Sequence, residues 1–364
     1  MIFHILIILA LVLYLCFFIF NKWKNIEDSY FSTFKKIHAE PPWIICRTAY
    51  DSKLIQVIKD KLNERCQELN DWFYKIYHHT LKYLIITSFN ASPFPNNEYH
   101  LCFYVDTENN YLHTAFDHHV IGGETITRVT SLMTGSNKFI KLPKANLLTG
   151  LCYTPYFLVK KPHKIQSCIP HNIPEQTRIF HWDLTTSKEG TKYEILYKIL
   201  TLLYKRLCKS ARSCNYIVVY LPIAFINSSK NNYNNIGLMW LQFSPTIYKS
   251  IDELKSGLHK KRYEVMVSNT VLNLRLVKSD NSKSIRKNVD VVISMTYAID
   301  PMGPNTVWSY YKRPEYPLYV AVGTSKVTNS NTLKTSVTVT INTDNFQPSK
   351  KMKELKIVDN LITG

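Results

Sequence analysis

The stretch YLHTAFDHHVIGGETITRVTSLM, residues 111–133, decides how the rest of the chain is read. Its opening residues alternate in the manner of a half-buried strand, which predicts that side chains two apart share a face. The run ends in His118 and His119. Gly122 and Gly123 then supply a turn that larger residues resist, and a helix is expected from about Thr125. Two histidines at the mouth of a strand suit general-base chemistry, because a neutral imidazole titrates near working pH. In an arbitrary protein the same pair is a polar strand end and the glycines are only a turn. The residues by themselves leave both readings open.

Upstream, EYHLCFYVDTENNYLHTAFDHH (98–119) reads as two strands around a turn at Glu108, Asn109 and Asn110. YDSKLIQVIKDKLNERCQEL (50–69) places Leu54, Ile58, Leu62 and Leu69 on one helical face behind Asp51 or Ser52 as cap. Downstream, residues 136–180 are broken by Pro143, Pro155, Pro162, Pro170 and Pro174, which predicts a long crossover with a domain boundary near its end. KYEILYKILTLLYKRLCK (192–209) is a largely buried helix by its dense apolar positions. YIVVYLPIAFI (216–226) is a strand expected to end or bulge at Pro222. NNIGLMWLQFSP (234–245) is a further strand, SIDELKSGLHKKRYEVM (250–266) a helix, and NVDVVISMTYAID (288–300) a strand entering the turn DPMGP (300–304). A hairpin in which Val337, Val339 and Ile341 alternate with threonines follows, and a last short helix is expected from about Ser349.

The 364 residues are 45% apolar, enough for one large or two ordinary domains, and no solenoid repeat is present. The net charge of +18 is spread over clusters such as Lys160, Lys161 and Lys164, or Lys350, Lys351 and Lys353. Such a field suits nucleic acid, an anionic membrane surface or a phosphate-bearing ligand, and chooses none of them. No C-x-x-C pair occurs among the eight cysteines, which argues against zinc and against a disulfide framework. Buried, inert thiols in a reducing compartment are expected.

The chain opens with MIFHILIILALVLYLCFFIF (1–20), uncharged and as long as a bilayer core is thick. It lacks the basic start and small-residue end of a cleavable signal, so a single-pass N-terminal anchor is expected. Lys22, Lys24, Lys35 and Lys36 follow it and place the main body on the cytoplasmic side, Glu27 and Asp28 weighing little. The sequons at Asn90 and Asn227 are no more than chance supplies.

FDHHVIGGE (116–124) is similar to the DHRVIDG form of the H-x-x-x-D-G signature. With the order strand, His turn, helix, crossover, helix, strand ending in proline, Gly-Pro turn and hairpin, the chain resembles the CoA-dependent acyltransferase superfamily. That group includes chloramphenicol acetyltransferase, condensation domains and the wax ester synthase/diacylglycerol acyltransferase family. The ungapped match sets His118 on the catalytic histidine, Gly122 on the aspartate and Gly123 on the glycine. A second register makes His119 catalytic, with Gly123 and Glu124 on the Asp-Gly pair. Asp300, Gly303 and Pro304 of DPMGP resemble the wax-synthase Asn-x-Pro-Gly-Pro turn. No D-F-G-W-G run is present.

The resemblance implies an α/β fold of two chloramphenicol-acetyltransferase-like α+β sandwiches in tandem. These span residues 26–182, with the His motif, and 183–358, behind an anchor at 1–22. It implies a membrane-anchored acyltransferase moving an acyl group from a CoA or carrier thioester to an alcohol or amine, with His118 as general base and no permanently bound cofactor or metal. An acyl-CoA cosubstrate, a lipid acceptor and the membrane are the partners implied. The family's aspartate holds the turn in shape, and this sequence has glycine there in either register. Asp117 and Glu124 are the neighbouring carboxylates. The alternative is therefore an inactive acyltransferase-fold protein that binds or assembles at a membrane. Lys205, Arg206, Lys260 and Arg262 are candidates for the CoA phosphates. A basic nucleic-acid or anionic-membrane binder ranks third, since no nucleic-acid module appears, and His181 and His259 are expected to be ordinary surface or boundary residues.

Overall fold

The computed structural model describes residues 7, 9–15, 17, 43–49, 63–64, 66–75, 80–86, 99–106, 111–117, 121, 129, 167, 169, 178–185, 192–208, 214–224, 236–261, 289–298, 307–310, 316–326 and 333–354. Along the chain the strands are β1 (Trp43–Ala49), β2 (Tyr83–Ile86), β3 (Leu101–Asp106), β4 (Tyr111–Asp117), β5 (Arg178–Thr185), β6 (Ile217–Ala224), β7 (Ile236–Phe243), β8 (Val291–Ala298), β9 (Val307–Tyr310), β10 (Leu318–Lys326), β11 (Leu333–Ile341) and β12 (Lys353–Glu354). They form two sheets, ordered β2-β3-β4-β1-β9 and β12-β5-β11-β10-β8-β6-β7. Residues 66–75 are helical, as are Lys192–Cys208 and 251–261. The architecture is thus mixed α/β, as expected.

Side-chain periodicity builds the layers. The Lys192–Cys208 helix turns Ile195, Leu196, Ile199, Leu200, Leu203 and Leu207 inward, a stripe at helical spacing. It packs with Leu254 and Leu258 of the 251–261 helix on one face of the larger sheet, against Val219, Leu221, Val291, Ile293 and Val320. The other face, through Tyr220, Val292, Tyr319 and Ala321, joins the core of the smaller sheet, made by Ile44, Leu101, Phe103, Phe116 and the helical residues Leu69 and Phe73. β8 is buried on both faces, between β6 and β10 with which it runs parallel, so VVISMTYA reads as a nearly continuous apolar run. Ser250 starts the 251–261 helix, its Oγ accepting the Glu253 N–H at 3.2 Å, while Glu253 Oε2 accepts the Lys249 N–H at 2.7 Å. That is close to a capping box.

Asp290 clasps the larger sheet where β6, β8 and β10 begin. Its N–H donates to the Val218 carbonyl at 3.0 Å, and its own carbonyl accepts the Leu318 N–H at 3.2 Å. The carboxylate accepts the Val218 N–H at 2.7 Å and the Ser167 hydroxyl. Burial pushes this carboxyl up to about 6, an effect the Ser167 and Val218 hydrogen bonds partly offset.

Several expectations change. β6 runs through Pro222, which pairs with Leu238 of β7, and neither ends nor bulges there. On its other side β6 pairs with β8 only at Val219 and Tyr220, so the N–H that proline lacks leaves no ladder bond unmade. The last short helix is replaced by a turn and β12, which pairs with β5 at His181 and Phe180. A cut between residues 182 and 183 falls inside β5, all of which pairs within the larger sheet. β9, from the second half of the chain, pairs with β1 of the smaller sheet. The two sheets therefore do not divide the chain at one point. Cys214 is disulfide-bonded, while Cys46, Cys66, Cys102 and Cys208 are free thiols, as was expected of most of the cysteines. Its partner lies outside the described residues; spacing alone cannot pair cysteines.

Residues 9–15 are helical and all exposed, with Leu9 at 57%, Leu13 at 62% and Tyr14 at 67%. Among the described residues no helix is long and apolar enough to cross a membrane.

Candidate functional site

β4 lies between β3 and β1, in the middle of the smaller sheet, and its alternation sorts its side chains. Leu112 and Phe116 enter the apolar core. His113, Ala115 and Asp117 leave on the opposite face, and all three are buried. The β3–β4 register sets Tyr104 opposite His113 and Cys102 opposite Ala115. Carried one residue further, it sets His100 opposite Asp117, whose N–H donates to the His100 carbonyl at 2.8 Å. One face of this strand pair is therefore apolar core. The other is a strip of polar and small residues, with His100 and Asp117 at one end, Cys102 and Ala115 in the middle, and Tyr104 and His113 ~13 Å along the strands.

His118 and His119 follow Asp117 directly in sequence, at the His100 end of this strip. His118, His119, Gly122, Gly123 and Glu124 lie outside the described residues, as do Asp300, Gly303, Pro304 and Arg262. Across the motif, the Ile121 N–H donates to the Asp117 carbonyl at 2.8 Å. Ile121 and Val129, one before and one after the glycines, are both buried in the smaller sheet's core.

His100 is half-buried and was not singled out from the sequence. Its N–H donates to the Lys82 carbonyl at 2.9 Å, and its Nδ1 accepts the Lys82 N–H at 3.3 Å. A backbone N–H can only donate, so Nδ1 carries no proton and the ring proton of the neutral imidazole sits on Nε2. The signal for this residue is the phase of EYHLCFY, which puts His100 on the face of Cys102 and Tyr104; pairing it with Asp117 requires the register between two strands.

Burial pushes the Cys102 thiol up to about 12, the nearby Asp117 carboxylate adding to the rise. Cys66 is likewise pushed up to about 12 by burial, and burial, with Cys102 adding, raises the Tyr104 phenol. These groups stay protonated at neutral pH, so no thiolate nucleophile is available from Cys66 or Cys102. Among the described residues no three His, Cys, Asp or Glu side chains gather as a metal site.

Lys205 and Arg206 stand in the last turn of the Lys192–Cys208 helix, and Lys260 is exposed on the 251–261 helix. Both helices cover the face of the larger sheet turned away from the smaller sheet's core, so the structure does not gather these cations with the β3–β4 strip. His259 is exposed and its Nε2 lies 3.0 Å from the Tyr193 hydroxyl. His181 is half-buried on β5, with Nδ1 3.5 Å from Ser336 Oγ.

No protein-family profile and no curated protein sequence matches the chain. Similar solved structures exist. The starter condensation domain of rhizomide synthetase RzmA is 7% identical, with 89% of this chain and 90% of that chain covered at a TM-score of 0.43. The epimerization domain from the third module of tyrocidine synthetase B is 8% identical, with 85% and 87% covered at 0.43. TRI101 of F. sporotrichioides, complexed with coenzyme A and T-2, is 9% identical, with 84% and 91% covered at 0.48. At such identities and scores the likeness is one of overall arrangement and says nothing of chemistry.

Proposed function

We propose that the chain transfers an acyl group from a CoA or carrier thioester to an alcohol or amine, with His118 as the general base. The observation that carries this is the setting of the histidine pair. His118 and His119 come directly after the buried Asp117 at the end of a central strand, beside a second strand that brings His100 to the same end. In the reaction an imidazole takes the proton of the acceptor, the acceptor attacks the thioester carbonyl carbon, and the thiol leaves with that proton. Nothing in this sequence of steps needs a covalent enzyme intermediate, in keeping with the protonated state of Cys66 and Cys102.

The N-terminal segment supports an anchored protein. Every one of residues 9–15 is exposed, so no face of those two turns is covered by the rest of the chain, and the apolar run MIFHILIILALVLYLCFFIF needs cover from outside. A bilayer supplies it, and tethering favours a lipid alcohol or another membrane-resident acceptor. The expectation of a cytoplasmic body and the disulfide at Cys214 pull in opposite directions.

A second reading is favoured by one specific feature, Gly122 where the motif has aspartate. A turn without its carboxylate holds a base less firmly, and the fold would then serve binding or assembly at a membrane. Calorimetric titration of the detergent-solubilised full chain with CoA and with a long-chain acyl-CoA separates the two. Saturable binding weakened by His118→Trp is expected. Folded protein that binds neither ligand would refute acyl transfer and leave the binding role.

A further inference from the structure

We propose that the outer helical layer of the larger sheet docks on an anionic bilayer, with Lys192, Lys249, Lys255 and Lys260 meeting lipid phosphates and Ile247 entering the headgroup layer. The docking surface rests on the membrane-anchored reading above and not on acyl transfer. It uses cations that the fold keeps away from the β3–β4 strip. The Lys192–Cys208 helix and residues 249–261 carry eight Lys or Arg against three Asp or Glu, so the layer repels cations and draws anions. Of the three acids, Glu194 is taken by Lys198 at 2.5 Å, and Glu253 Oε2 accepts the Lys249 backbone N–H. Lys192, Lys249, Lys255 and Lys260 are exposed, and among the described residues they make no ion pair. Each such lysine strengthens attachment to an anionic leaflet about fivefold.

Two of these lysines are gathered by one aromatic ring. Lys192 Nζ lies 5.1 Å and Lys255 Nζ 5.9 Å from the centre of the Tyr193 ring, whose hydroxyl is 3.0 Å from His259 Nε2. Cations from two helices thus surround a half-buried phenol, whose apolar body and polar tip suit a headgroup layer. The same layer carries an apolar tip. Ile247 is 49% exposed, and outside residues 7–17 no other large aliphatic side chain is exposed among the described residues. Its turn is fastened to both helices. The Ser244 carbonyl accepts the Ile247 N–H at 3.1 Å, and the Tyr197 hydroxyl donates to the Tyr248 carbonyl at 3.2 Å. The Tyr248 ring stacks on Phe243 and lies so close to Gly257 that a Cβ there would meet it at 2.8 Å. An isoleucine held out beside lysines fits a lipid surface better than a nucleic-acid backbone, which has no apolar layer to receive it.

Lysine acetylation by an uncharged reagent, read by peptide mass spectrometry, tests the surface residue by residue. The full chain is placed in vesicles of phosphatidylcholine alone and of phosphatidylcholine with phosphatidylserine, and flotation reports whether it is anchored in each. In the anionic vesicles Lys192, Lys249, Lys255 and Lys260 are expected to react about tenfold more slowly than in the neutral ones. Lys75 and Lys82, exposed on the smaller sheet's side of the molecule, should react equally in both. The double variant Lys192→Glu/Lys255→Glu should still float with both vesicles and lose the protection of Lys249 and Lys260. Equal acetylation in the two vesicles, from protein that floats with both, would overturn the docking surface and leave the anchor standing. Equal protection in neutral vesicles by inorganic phosphate or by a single-stranded oligonucleotide would also overturn it, making the patch a small-anion or nucleic-acid site. Protein that floats with neither vesicle would refute the anchored reading, and the docking surface falls with it.

Discussion

His118 and His119 are adjacent in sequence, and the choice between them is a choice of motif register. With His118 as base, His118→Ala should abolish acyl transfer at unchanged thermal stability, and His119→Ala should reduce it less. Equal residual rates in both variants would refute the choice of register. At Asp290 the physics is that of a buried charge. Its folded carboxyl titrates at about 6 against an ordinary 3.8, so the folded state keeps a proton that the unfolded chain releases. Its contribution to stability is therefore full below about pH 3.8 and is lost as pH rises through about 6. Asp290→Asn retains an acceptor for the Val218 N–H and removes the charge. Denaturant unfolding should show the variant more stable than wild type at pH 8, by on the order of 2 kcal/mol, with the gap closing by pH 4. A gap that does not change with pH would remove Asp290 as the cause. The motif histidines were legible because they are neighbours in sequence. His100 and the bonds of Asp290 were not, because cross-strand and inter-strand partners are set by register, which no local pattern encodes.

Among the elements, the strands and helices with a strong period were legible along their whole length: the Lys192–Cys208 helix, the β10–β11 hairpin and the β3–β4 pair. Those that depend on a neighbour were not. Whether Pro222 stops β6 is decided by which side β8 occupies, and the chain after Ser349 becomes β12 because β5 has an open edge beside it. The threonines of β11 show a related effect. Thr338 is 1% exposed, sits opposite Ala321, and its hydroxyl makes no hydrogen bond among the described residues. A buried hydroxyl without a partner costs stability, and valine has nearly the same shape. Thr338→Val should leave the thermal midpoint unchanged or raise stability by about 1 kcal/mol. A loss of that size would mean that the hydroxyl is paired.

At the scale of the whole molecule two features bear on where the protein works. The exposed helical residues 9–15 predict that the full chain stays with membranes through an alkaline carbonate wash, and that removal of residues 1–22 releases it. A full chain recovered in the supernatant would sink the anchor. The cysteines give an independent reading of the compartment. In folded protein under non-reducing conditions, Cys214 should resist a maleimide until reduced, and Cys46, Cys66 and Cys102 should react only on unfolding. Immediate labelling of Cys214 in freshly isolated protein would place the body in a reducing compartment. From its own residues the sequence determined the α/β class, the apolar N-terminal run, the basic charge and the histidine motif, all of which are local or summed properties of the chain. Tertiary structure alone decided that β9 joins the first sheet, that Cys214 is bonded, and that one face of β3–β4 collects His100, Asp117, Tyr104 and His113. These rest on contacts between segments far apart in sequence, and their energy comes from burial and register that exist only once the sheets have formed.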